Sequence, residues 1–144
     1  MITGSTVYMK TGGRIYGLEL SGGGLNKYNK DTDNFEIYRY DFYDRASLSH
    51  DQILSIIEGS DGNIWAGTNG AGLNKFDVTN RRFERSSKTE GVASPVIYGI
   101  LEDNNENLWM SSDIGLFKYN LGTANITYYH LNDGLQSMEF SGGA

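Results

Sequence analysis

The segment Asp61-Gly62-Asn63-Ile64-Trp65-Ala66-Gly67-Thr68 returns 44 residues later as Asn105-Glu106-Asn107-Leu108-Trp109-Met110-Ser111-Ser112. A second marker follows each copy. It reads Gly24-Leu25-Asn26-Lys27-Tyr28, then Gly72-Leu73-Asn74-Lys75-Phe76, then Gly115-Leu116-Phe117-Lys118-Tyr119, at spacings of 48 and 43 residues. Two markers recurring in the same order define a repeated unit, and a period in the forties suits one four-stranded sheet per repeat. In the first copy the earlier marker is worn to Gly13-Arg14-Ile15-Tyr16, with tyrosine in the tryptophan position.

Composition agrees with strands and tight turns. The chain holds nineteen glycines, one proline (Pro95), ten tyrosines, six phenylalanines and two tryptophans in 144 residues. Aromatic and β-branched residues fit pleated surfaces, and glycine supplies the turns between them. No window keeps a helical apolar spacing; the nearest, Asp51 to Glu58, is a short apolar run that reads as a strand. The middle repeat parses into Ile53–Glu58 as the innermost strand, Asn63–Thr68, Leu73–Val78, and Arg82–Ser87 as the outer strand. The glycines at 67, 70 and 72 are expected to reverse the chain between the second and third. Asn34–Tyr38 and Asn125–Tyr128 alternate polar and apolar residues, as half-exposed outer strands do.

The expected fold is therefore all-β: a β-propeller fragment of about three four-stranded blades plus the start of a fourth. Blade one covers 1–45, blade two 46–93, blade three 94–131, and 132–144 begins a further blade. Propellers close with about four to eight blades. Open blade faces are then expected to be covered by neighbouring blades of a parent protein, or by self-association into a homo-oligomer. Trp65, Trp109, Gly72, Leu73, Gly115 and Leu116 are expected to be structural repeat positions, the two indoles filling the wedge between blades.

A net charge of −6 without a Lys/Arg cluster removes the footprint that nucleic acid requires. No apolar stretch approaches the length of a membrane span, so no direct membrane insertion is expected. Zero cysteines exclude disulfides and thiolate metal sites. Residues 1–10 lack the pattern of a signal peptide.

The paired markers of the middle repeat, from Glu58-Gly59-Ser60-Asp61-Gly62-Asn63-Ile64-Trp65 through Gly72-Leu73-Asn74-Lys75-Phe76, resemble the two-component regulator propeller repeat. The third copy matches through Leu101-Glu102-Asp103, Leu108-Trp109 and Gly115-Leu116-Phe117-Lys118-Tyr119, with Ser111-Ser112 replacing the usual glycine-threonine. Residues 132–144 are similar to the opening of the family's last repeat, which an immunoglobulin-like domain follows. The resemblance implies the periplasmic sensor of a hybrid two-component histidine kinase, recognising oligosaccharides from complex glycans and signalling to transcription. It implies no enzyme activity in this segment and no cofactor.

Other chemistry finds little support. His50 and His130, the two histidines, lack the helical hairpin that a phosphoacceptor needs. Asp103-x-Asn105-x-Asn107 begins like a calcium loop, but Leu108 stands where glycine is required and Ile114 where a bidentate glutamate is required. Asn125-Ile126-Thr127 matches a glycosylation acceptor but falls on an expected strand. No nucleophile elbow, P-loop or metal motif is present. Ligand contacts are expected on the loops lining one mouth of the propeller, where His50, Asp51, Asn69 and Asp113 fall. Two alternatives stay open. One is a fragment of a propeller lyase, which shares the Asp-Gly-Asn-Ile-Trp turn but not the second marker; the other is a protein-interaction scaffold.

Overall fold

The structure, a computed structural model, describes residues 6–11, 14–19, 22–85, 94–130 and 133–134. Twelve strands form three four-stranded antiparallel sheets, each a simple meander. The first holds β1 (Thr6–Thr11), β2 (Arg14–Glu19), β3 (Leu25–Asn29) and β4 (Asn34–Tyr38). The second holds β5 (Ile53–Glu58), β6 (Ile64–Thr68), β7 (Leu73–Asp77) and β8 (Arg82–Arg85). The third holds β9 (Ile97–Glu102), β10 (Asn107–Ser112), β11 (Leu116–Asn120) and β12 (Ile126–Tyr129). One sheet lies within each of the ranges 1–45, 46–93 and 94–131. The start of a further blade at 132–144 lies, apart from 133–134, outside the described residues, as do Gly13 of the worn marker and the end of the Arg82–Ser87 strand.

The cores lie between sheets. Successive side chains of a strand point to opposite faces, so β6 serves two neighbours at once. Ile64 and Ala66 join Tyr16 and Leu25 of blade one, together with Leu48, Ile53, Phe76 and Phe83. Trp65 joins Ile97, Ile100, Leu108, Met110, Phe117 and Tyr119 of blade three. The Trp65 ring is 3% exposed and sits 5.5 Å from the Tyr119 ring. Tyr16 is buried in the equivalent place between blades one and two. Trp109, on the face of blade three that no described sheet covers, is only half-buried; Tyr129 stacks on it at 5.5 Å and Lys118 lies over its ring.

The hairpin before each tryptophan is closed by a carboxylate, taken from a different position in each blade. In blade three Asp103 accepts from the Trp109 indole at 2.9 Å, from the Asn107 amide, and from the backbone N–H groups of Asn105 and Asn107. Blade two has Gly59 at the position of Asp103, and Asp61, two residues on, takes the indole of Trp65 and the backbone N–H of Asn63. A Cβ on Gly59 would lie 2.7 Å from the Asp61 carboxylate and 2.9 Å from the indole nitrogen, so the glycine makes room for the substitute acid.

The outer strand of blade three runs Ile126–Tyr129 rather than Asn125–Tyr128, and three details of blade two depart from the sequence expectation. The second strand of blade two starts at Ile64 because Asn63 belongs to the turn, its amide bonded to Asp61. The third ends at Asp77, whose carboxylate accepts from the N–H groups of Thr79 and Asn80 and ends the pleat. Asn29 and Asn120 cap the equivalent turns, and each turn closes through a left-handed residue that is not glycine: Asp33, Arg81 and Ala124. Finally, Gly70 and Gly72 have positive φ and turn the chain, but Gly67 lies within β6. It is required by packing, since a Cβ there would meet Ile97 of blade three and Ser55 at 2.7 Å.

Two outcomes follow from these contacts. Trp65→Ala should cost about 3–5 kcal/mol, the usual range for emptying a large buried aromatic site. Trp109→Ala, at a half-covered site, should cost about 1–2 kcal/mol; urea titrations of both variants read the contrast. The Trp109 indole, the Asn107 amide and the backbone N–H groups of the turn hold the Asp103 carboxyl well below the usual carboxylate range. A depressed folded pKa gives stability that is full above the unfolded value, about 3.9, and lost as pH falls through the folded value. Asp103→Asn should therefore lower the urea midpoint at neutral pH and flatten its decline below about pH 4.

Candidate functional site

In each meander the first strand begins, and the second ends, at the same end of the sheet. The β4–β5 loop, the β6–β7 turn, the described part of the β8–β9 loop (94–96) and the β10–β11 turn therefore gather at one mouth. All four residues expected to contact ligand lie there.

Gln52 brings two of them together. Its backbone N–H donates to His50 Nδ1 at 3.0 Å, while its side-chain oxygen accepts from the Asn69 amide at 2.9 Å. The Asn69 backbone N–H adds a bond to Gln52 O at 3.0 Å. The His50 ring packs against Gly70, where a Cβ would come within 3.3 Å of it. Asn69 itself is exposed.

The two acids are stitches between segments. Asp51 accepts from the Tyr40 N–H at 2.7 Å through its carboxylate and from the Gly24 N–H at 2.8 Å through its carbonyl, tying the β4–β5 loop to blade one. Asp113 accepts a short bond from the hydroxyl of buried Ser94, tying the β10–β11 turn to the segment that leads into β9. Pro95 takes the N–H groups of Gly70 and Gly72 on its carbonyl, so the blade-two turn is anchored to blade three. Thr68 and Ser112 each donate a hydroxyl bond across their turns, to Gly72 O and Gly115 O. The serine at 112 thus does the work of the threonine it replaces.

The outer part of the β4–β5 connection was not expected, and it runs along β8 rather than around the mouth: Ala46 O takes the Phe83 N–H and Asp44 pairs with Arg82. Tyr40 and Leu48 form a β-bridge, so residues 41–47 leave and return at one point as a compact loop. Asp41 accepts from the Tyr43 N–H, Asp44 from the Ala46 N–H, and Ser47 Oγ from the Asp41 N–H, each at 2.9 Å. From β8, the Arg85 guanidinium donates to Ser47 O, Asp44 O and Ser47 Oγ at 3.0, 3.0 and 2.8 Å. It also lies over the Tyr40 ring. On this brace Phe42 and Tyr43 stand 75% and 92% exposed. The signal in the sequence was an aromatic pair in a stretch otherwise made of charged and small residues, where a connection would ordinarily be polar.

Comparison with known proteins accords with this architecture. Residues 47–70 match the model of the two component regulator propeller family. Over 114 residues, 78% of its length, the chain is 39% identical to Histidine kinase P4 of Formosa agariphila. Its fold is similar to the extracellular domain of the hybrid two component system BT3049 from B. thetaiotaomicron, with a TM-score of 0.71 and 21% identity over 81% of this chain. It is likewise similar to the extracellular domain of the B. thetaiotaomicron system BT4673, with a TM-score of 0.66 and 25% identity over 85% of this chain. The chain spans 8% of the kinase and 16% of each of those solved chains. Residues 47–70 thus match one two component regulator propeller repeat, and the three sheets fold as propeller blades.

The Arg85 brace has a measurable consequence. A lysine cannot reproduce a planar fork that reaches several acceptors at once. Arg85→Lys should leave the three sheets folded by circular dichroism while raising amide hydrogen exchange at Tyr43, Ala46 and Ser47 by about tenfold or more, since a loss of about 1.4 kcal/mol in loop closure is tenfold in exchange.

Proposed function

We propose that this chain is part of the extracytoplasmic, periplasmic sensor propeller of a hybrid two-component histidine kinase. Its mouth recognises oligosaccharides released from glycans, and occupancy is passed to the kinase and on to transcription. The observation that carries this is the 39% identity to a histidine kinase across most of the chain, with a two component regulator propeller match inside it. The extracellular placement of the similar solved domains supports the location. Among the described residues no helix is long and apolar enough to cross a membrane.

The mouth suits recognition. His50, Gln52 and Asn69 all belong to blade two, and the turn that follows Asn69 is anchored to Pro95 of blade three, so a molecule held by them lies beside the joint between the two blades. Sensing needs only that a ligand favour one blade arrangement over another. Oligosaccharide is the expected partner of the intact propeller. The faces of blades one and three left open here are covered by neighbouring blades of the parent, or by self-association when the segment is alone.

The test is phosphorylation of the whole parent protein in membranes, with and without a panel of neutral and acidic oligosaccharides. A glycan-dependent change in kinase labelling is expected. A parent that ignores every glycan but responds to a bound protein would overturn the glycan reading in favour of a scaffold.

A further inference from the structure

The β6–β7 turn carries a chemically reactive pair. Asn69-Gly70 is the one Asn-Gly dipeptide in the 144 residues. A glycine after asparagine leaves the next backbone nitrogen with no side chain to shield it from the asparagine amide carbon. Geometry keeps that glycine in place: Gly70 has a φ of +139°, which other residues rarely adopt, and a Cβ on it would come within 3.3 Å of the His50 ring. Both residues of the pair are exposed, whereas Asn80 and Asn105 in other exposed turns are followed by Arg81 and Glu106. Two bonds engage the groups that would react. The Asn69 amide nitrogen donates to Gln52 Oε1 at 2.9 Å, and the Gly70 N–H donates across the blade joint to Pro95 O at 3.0 Å.

We propose that Asn69 is a deamidation site gated by the joint between blades two and three. While Gln52 and Pro95 hold the turn the amide persists, and each opening of the joint frees it to cyclise. In that reaction the Gly70 nitrogen gives its proton to solvent base and attacks Asn69 Cγ. The new N–Cγ bond closes a cyclic imide, the Cγ–Nδ2 bond breaks, and Nδ2 leaves as ammonia. Water then opens the imide at either carbonyl, giving aspartate or isoaspartate at position 69. The two products fit the turn differently. Blade three already holds an acid at the equivalent place, since Asp113 follows Ser112 as Asn69 follows Thr68, and the Ser94 hydroxyl donates to it. Aspartate at 69 is therefore compatible with the fold. Isoaspartate adds a methylene to the backbone between two bonds of fixed span, Asn69 N–H to Gln52 O and Gly70 N–H to Pro95 O, and so pulls one of them open. Either product puts a carboxylate at the mouth, and the lost ammonia makes the change one-way.

The test is peptide mapping of the 144-residue chain during incubation at mildly alkaline pH, beside a synthetic peptide of residues 66–75, with an isoaspartate-specific methyltransferase as second readout. Trypsin, cutting after Arg45 and Lys75, releases residue 69 in the fragment 46–75. Amide-to-acid conversion should appear at 69 before any other asparagine. It should run at least about tenfold more slowly in the folded chain than in the peptide, which corresponds to about 1.4 kcal/mol of closure. Gln52→Ala, with its blades still folded by circular dichroism, should convert severalfold faster than the parent chain, and so should the parent chain in urea below its unfolding midpoint. Asn69→Asp should melt close to the parent chain, whereas the isoaspartate fraction, separated by ion exchange, should melt lower. Equal rates in chain and peptide overturn the gate, as does a rate that neither Gln52→Ala nor urea increases. Earlier conversion at another asparagine overturns the site. An Asn69→Asp chain that melts as low as the isoaspartate fraction overturns the equivalence with Asp113.

Discussion

The structure depends on one buried indole. Trp65 stands on the second strand of its blade, points away from its own inner core, and closes the gap to blade three against Tyr119, Ile100 and Leu108. Its polar edge would be costly in that position without a partner. Asp61 supplies one by accepting from the indole nitrogen, and Lys75, paired with that acid, lies over the ring. Sheet, hairpin and neighbouring blade are joined in one side chain, which is why the markers before and after it recur together.

The repeat made the blades legible, because alternation along a strand and a fixed period are both written in one sequence. It did not reveal exchanges between copies. The carboxylate under the tryptophan moves from position 61 in blade two to the Gly59-equivalent Asp103 in blade three. A second exchange lies on the paired inner strands: Ser55 faces Gly67 in blade two, whereas Gly99 faces Ser111 in blade three. In each case one side chain fills a space that has room for one. Read singly, Ser111 looks like a departure from the glycine of the repeat. Read as a pair, the hydroxymethyl group has only crossed to the other strand.

The mouth was half legible. Its position follows from meander topology, so His50, Asp51, Asn69 and Asp113 could be placed there from loop order alone. Their partners could not. Asp51 and Asp113 hold loops to neighbouring segments, and only geometry shows that their carboxylates are engaged by Tyr40 and Ser94. Gln52, which joins His50 to Asn69, carries no motif. Phe42 and Tyr43 were visible as letters, but their exposure was not: the same two aromatics tucked under β8 would have been ordinary core.

Exposure elsewhere has a different cause. Leu101 is 73% exposed, directly across from Trp109 in the sheet. The equivalent pair in blade two is Ile57 and Trp65, and there blade three packs on both. Leu101 is thus a core position without its cover. Full burial of a leucine contributes about 1.5–3 kcal/mol, a large share of the stability of a small domain. Covering that face would therefore add to the folding energy of these blades, whereas the Phe42–Tyr43 tip is braced within its own loop and by Arg85 and gains nothing from such a cover.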